Sequence, residues 1–153
     1  MKKTLLLDID GVICPLGLLL KSENYIKVSG GWNKGYIREK VVEWIRDIQQ
    51  EFDVIWCSSW ESETENITEK LGIKPFPYLG VNSGRHSYHW YKLDEIEKNC
   101  VENPKREIIC VDDAVDEQAL LNFEIPENLK FFKPANPLTG LSNTEMTDLS
   151  GMA

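Results

Sequence analysis

Residues 4–12, Thr4-Leu5-Leu6-Leu7-Asp8-Ile9-Asp10-Gly11-Val12, decide how the rest of the chain is read. An apolar run that breaks into Asp-x-Asp-Gly is the pattern of a buried strand delivering two carboxylates to one edge of a sheet, followed by a glycine that lets backbone approach a ligand closely. Short apolar runs recur at residues 53–57 (DVIWC), 107–111 (EIICV) and 130–132, and helical patterns separate them. Such alternation is the signature of βαβ units feeding a parallel sheet. A further short strand over residues 78–81, after the Pro75 and Pro77 break, brings the predicted sheet to five strands. The expected architecture is a doubly wound, Rossmann-like α/β fold with helices on both faces, whose ligands bind beyond the carboxyl ends of the strands.

Between the strands, Ile37, Val41, Trp44, Ile45, Ile48 and Phe52 recur at steps of three and four, which predicts a helix over residues 36–52. Residues 61–71 form a second predicted helix with acids in its first turn and Gly72 at its end. Helices are also expected over 88–101, 115–122 and 144–149. Residues 14–35 make a connection longer than usual, Gly-bearing and aromatic, and are read as a flap or hairpin. No internal repeat or linker interrupts the sequence, so one domain over residues 1–153 is expected.

The fourth predicted strand ends in Asp112-Asp113, placing a second acidic pair at the edge that Asp8 and Asp10 occupy. Like charges gathered in one cleft repel, and a hard cation with oxygen ligands, such as Mg2+, relieves that repulsion. The second strand ends in Cys57-Ser58-Ser59-Trp60, which brings a hydroxyl to the same edge, and the helix expected over 88–101 carries Lys92. Together they offer a donor and a cation for a phosphate group. Arg85, His86 and His89 lie in a loop that could overhang a substrate, and Tyr25, Trp32 and Tyr36 could stack a nucleobase or pack the flap on the core.

Composition narrows the partners. A net charge of −8 argues against a protein devoted to non-specific binding of DNA or acidic membranes, while leaving room for a local basic pocket. No apolar stretch reaches the roughly 20 residues of a membrane span, and no secretory signal is read at the start, so a cytoplasmic protein without membrane contact is expected. Cys14, Cys57, Cys100 and Cys110 stand apart with no CxxC pair and are read as reduced core residues. No obligate protein partner is evident.

The order Asp-x-Asp-Gly-Val, Ser, Lys, Asp-Asp across residues 4–113 resembles the haloacid dehalogenase superfamily of phosphotransferases. Trp56 and Trp60 around the hydroxyl strand, Val111-Asp112-Asp113 and Thr139-Gly140-Leu141 are similar to its capless subgroup named for Swiss-army-knife RNA repair proteins. The resemblance implies that Asp8 is nucleophile and metal ligand and that Asp10 is general acid and base, lending its carbonyl to the metal. It implies that Ser58 and Lys92 hold the phosphoryl group, and that Asp112 and Asp113 complete a Mg2+ site. Gly11, Ser59 and Arg85 are the expected substrate contacts. The gaps at 14–35 and 61–91 leave room for a flap but not for a cap domain, so substrates from phosphorylated small molecules and nucleotides to nucleic-acid ends are admitted. Two rivals use similar parts. A signalling receiver domain would carry its phosphorylated Asp on a later strand, and a catalytically idle phosphate-binding module would show no turnover.

Overall fold

The computed structural model describes residues 1–83 and 86–153. In chain order its elements are β1 (Lys3–Leu7), β2 (Tyr25–Gly30), β3 (Asn33–Arg38), α1 (Glu39–Glu51), β4 (Phe52–Trp56), a 3-10 turn at Glu61–Glu63 running into α2 (Thr64–Leu71), α3 (Leu93–Glu102), β5 (Ile108–Val111), β6 (Leu129–Phe132) and α4 (Asn143–Ser150). Four strands form a parallel sheet in the order β4-β1-β5-β6. The chain adds β4 on one side of β1 and β5 on the other, so the direction of winding reverses at the end of β1.

Successive residues of a strand face opposite sides, and each side of this sheet has its own apolar layer. Leu5 and Leu7 join Val54, Trp56, Ile109 and Val111 beneath α1, α2 and α4. Leu6 joins Ile108, Cys110 and Leu129 against α3 and the turn that carries Val115, Ala119 and Phe123. Complete burial of Leu5, Leu6 and Leu7 contributes about 1.5–3 kcal/mol per side chain, which anchors the strand that carries Asp8.

Several expectations shift. The sheet has four strands among the described residues, not five, because the segment around Tyr78 makes only a single bridge to Trp56. Trp56 donates its N–H to the Pro77 carbonyl at 2.8 Å and accepts from Leu79 at 2.9 Å. Pro75 and Pro77 have no N–H to lengthen that ladder. Residues 115–122 form turns instead of a helix. The Asp116 side chain caps the Ala119 N–H at 2.7 Å, and Asn122 at φ 60° reverses the chain after barely one turn. The predicted helix at 36–52 begins later, at Glu39, because residues up to Arg38 pair in β3; Ile37 is buried from a hairpin and not from a helix.

That hairpin, residues 25–38, is a separate two-stranded sheet. Val28 and Ile37 turn inward and are buried, and a side chain at Gly35 would meet the Cys14 sulfur at 2.9 Å, so its middle lies against the loop that follows Asp8. At the tip, the Glu63 carboxylate accepts from the Trp32 N–H at 2.9 Å, the Asn33 N–H at 3.2 Å and the Asn33 amide at 2.6 Å. Trp32 itself is 98% exposed, so the packing of the hairpin falls to Val28 and Ile37.

The end of the chain buttresses the same loop. Gly140 sits at φ +75°, and the next residue, Leu141, donates its N–H to the Val12 carbonyl at 2.8 Å. A Cβ at Gly140 would stand 2.7 Å from that carbonyl oxygen. Gly140→Val therefore combines backbone strain with a backbone clash and should lower stability by about 2–3 kcal/mol in urea unfolding.

Candidate active site

The parallel ladder extends one residue past β1, β4 and β5, onto or next to the polar residues singled out in the sequence. Asp8 donates its N–H to Val111 at 3.1 Å, Cys57 to Leu7 at 2.9 Å, and Asp112 to Phe132 at 3.2 Å. Asp8, Asp112 and the Ser58 that follows Cys57 are thus fixed along one edge by main chain. Lys92 arrives from the other direction, at the residue before α3.

These groups converge. The Lys92 ammonium lies 3.0 Å from Asp8 Oδ1 and 2.6 Å from Asp112 Oδ2, and it donates to the Cys57 carbonyl at 2.8 Å. Asp112 Oδ1 accepts from the Ala114 N–H at 2.9 Å. Asp8, Asp112 and Asp113 each offer a carboxylate oxygen, all within 4.8 Å of one another. Asp8, Lys92 and Asp112 are buried, while Asp113 is half-buried. Gly11 makes room for the last of them, since a Cβ there would stand 2.5 Å from Asp113 Oδ2. Its N–H is taken by the Cys14 carbonyl at 2.8 Å, so what Gly11 gives the cluster is space.

Asp10 points elsewhere. Its carboxylate accepts from the Trp60 indole N–H at 3.0 Å and lies outside the cluster of three. The linear sequence does not reveal this Trp60 contact; it spans 50 positions, and only the adjacency of Trp60 to the hydroxyl strand marks it. Ser58 is buried and its Oγ accepts the Trp60 N–H at 3.2 Å. Ser59 is exposed and its carbonyl accepts from the Asn82 side chain at 3.0 Å. His86 and His89 are exposed, and Arg85 lies outside the described residues. A surface cavity of about 400 Å³ between the hairpin root and α1, lined by Tyr25, Glu39, Arg46 and Lys70 among others, includes none of Asp8, Asp10, Asp112 and Asp113.

Electrostatics follow from burial. Desolvation pushes the Asp8 carboxyl well above the usual carboxylate range; Lys92 opposes the shift and the charge of Asp112 adds to it. Burial raises Asp112 as well, against Lys92 and the Ala114 N–H, with Asp113 adding to the rise. Desolvation works against the Lys92 charge, yet Cys57, Asp8 and Asp112 around it hold its pKa well above the ordinary lysine value. One ammonium among three carboxylates leaves the cluster short of positive charge. Hard oxygen donors this close, partly stripped of water, fit a divalent cation. Cys14 is no rival nucleophile, because burial and then the charges of Asp10 and Asp8 push its thiol far up.

The sign of the pH response is set by these shifts. Carboxyls raised in the fold bind protons more readily than in the unfolded chain, so their contribution to stability is full below about pH 4 and fades as pH rises through the raised values. Melts in chelator should show stability falling as pH rises above the ordinary carboxylate range, and adding a divalent cation should reverse most of that fall.

The model of the HAD domain in Swiss Army Knife RNA repair proteins matches residues 4–146, from β1 into α4. The chain belongs to this family. No curated protein matches it. Membership in the HAD domain family points to a hydrolase of phosphatase type, and such domains typically use a divalent metal, which Asp8, Asp112 and Asp113 could hold. The HAD match begins with the strand that delivers Asp8 and contains every element that borders the carboxylates.

Proposed function

We propose that the chain is a Mg2+-dependent phosphomonoester hydrolase working through an aspartyl-phosphate on Asp8, with nucleotides or nucleic-acid phosphate ends as substrates. The observation that carries this reading is the meeting of Asp8, Asp112 and Lys92, from three separate elements, within 3.0 Å contacts. Asp8, Asp112, Asp113 and the Asp10 carbonyl would hold Mg2+, whose charge would offset repulsion between the phosphate and the attacking carboxylate. Phosphoryl transfer asks chiefly for positioning and charge neutralisation.

An Asp8 oxygen attacks phosphorus as the bond to the ester oxygen breaks, and Asp10 gives its proton to that leaving oxygen. Water then attacks the phosphorus of the aspartyl-phosphate, Asp10 accepts the proton released, and inorganic phosphate departs with Asp8 regenerated. Lys92 and the Ser58 hydroxyl steady the phosphoryl oxygens. The hairpin at 25–38 acts as a flap beside the opening. With no cap domain among the described residues, the end of a longer molecule can enter, which agrees with the description of the family.

Trp60 fixes the acid in this scheme. Trp60→Phe keeps most of the ring but loses the N–H on Asp10, and one such bond corresponds to about a tenfold fall in kcat, together with a displaced pH–rate profile. Phosphate release from nucleoside monophosphates, 3′- and 5′-phosphorylated oligonucleotides and sugar phosphates, with and without Mg2+, tests the whole reading. Turnover of at least one class that chelator abolishes is the expected result; no release from any class overturns it and leaves a phosphate-binding module.

A further inference from the structure

We infer that the outer face of the hairpin at 25–38 is a binding strip for single-stranded nucleic acid. The pairing register sets Lys27 opposite Tyr36 and Ser29 opposite Lys34, and directly opposed residues of an antiparallel pair share a face. Lys27, Ser29 and Lys34 are exposed, Tyr36 is 43% exposed, and Trp32 stands almost wholly in solvent at the tip. The opposite face is accounted for by the burial of Val28 and Ile37.

Charge selects the occupant. The whole chain carries −8, yet residues 25–38 contain Lys27, Lys34 and Arg38 and no Asp or Glu. Arg38 is buried and engaged with Asn143 and the Leu141 carbonyl, which leaves the two lysines as the outward charge. Neither lysine joins a salt bridge among the described residues. The nearest acid at the tip, Glu63, is turned onto the Trp32 and Asn33 N–H groups and the Asn33 amide. Two exposed aromatics interleaved with two uncommitted cations match a strand that offers bases for stacking and phosphates for pairing. A duplex, with its bases already stacked, gives Trp32 nothing to cover.

The strip is also held in place. Its middle lies against Cys14, in the loop after Asp8 and Asp10, and its tip is tied to Glu63, three residues beyond Trp60. A strand lying along it would present an end to the carboxylates, a consequence that rests on the reading of the site given above.

The test separates the two. Anisotropy of a labelled 12-nucleotide single strand with hydroxyls at both ends, RNA and DNA in turn, measures binding without any group to hydrolyse. Binding should weaken about tenfold or more in Trp32→Ala, and in Lys27→Glu/Lys34→Glu it should weaken further with a shallower salt dependence. Turnover of a small phosphomonoester should stay at the wild-type level in both variants, and matching melting curves would show that these exposed changes leave the fold alone. Absence of binding by the wild type, equal binding of the duplex form, or indifference to both substitutions would each overturn the proposal, whatever the outcome of the hydrolysis assay.

Discussion

Asp8→Asn should leave less than about one part in ten thousand of the wild-type turnover, since loss of a covalent nucleophile costs many decades of rate. Asparagine has nearly the same shape, so the N–H bond to Val111 and the burial of Leu5, Leu6 and Leu7 beneath it are untouched. The variant should fold with an unchanged far-UV spectrum and bind substrate without consuming it. Wild-type protein quenched in acid during turnover should carry phosphate on Asp8 that withstands the acid and is released by hydroxylamine; the variant should carry none. A variant that kept a tenth of the rate would remove Asp8 from the nucleophile's role.

Lys92→Met should produce the largest change in the stability of the metal-free protein. The ammonium is the positive charge between Asp8 and Asp112, and removing one partner of a buried ionic group typically costs about 3–5 kcal/mol. Methionine fills much of the volume, so the loss reports charge more than packing. Urea unfolding in chelator would measure it. The deficit should shrink toward acid pH, where the raised carboxyls of Asp8 and Asp112 take up protons. It should also shrink on adding Mg2+, and by more than wild type gains, because a bound cation would take over the neutralising task. Turnover at saturating Mg2+ should still fall by about two to three decades, as expected when a charge facing the transferring phosphoryl group is lost. Equal stability of variant and wild type in chelator would contradict this account of the cluster.

Much of this site is written locally in the chain. Asp8, Ser58 and Asp112 each follow a short apolar run, and a run that ends in a polar residue at a sheet edge is visible without any knowledge of partners. Lys92 was harder, because its position before α3 matters only once its reach to Asp8 and Asp112 is known. The Trp60–Asp10 contact and the room that Gly11 gives Asp113 are non-local, and no periodicity encodes them. The same distinction separates the fold features. β1, β4, β5 and β6 are each built on a short apolar run, whereas the edge segment at Tyr78 is decided by two prolines and the turn at 115–122 by the side chain of Asp116 and the backbone of Asn122. The start of α1 was misplaced because Ile37 fits a helical stripe and a hairpin's inner face equally well.

The carboxylates of Asp8 and Asp112 owe their separation to main-chain pairing past the ends of β1, β5 and β6. Catalytic spacing is thereby insulated from the identity of the hydrophobic residues on either side of the sheet. Interior positions such as Leu6, Ile109 and Cys110 are free to drift among side chains of similar bulk without retuning the chemistry. An insertion or deletion of one residue within β1 or β5 is a different matter, for it would rotate an acid to the wrong side and silence the protein while its interior still closed.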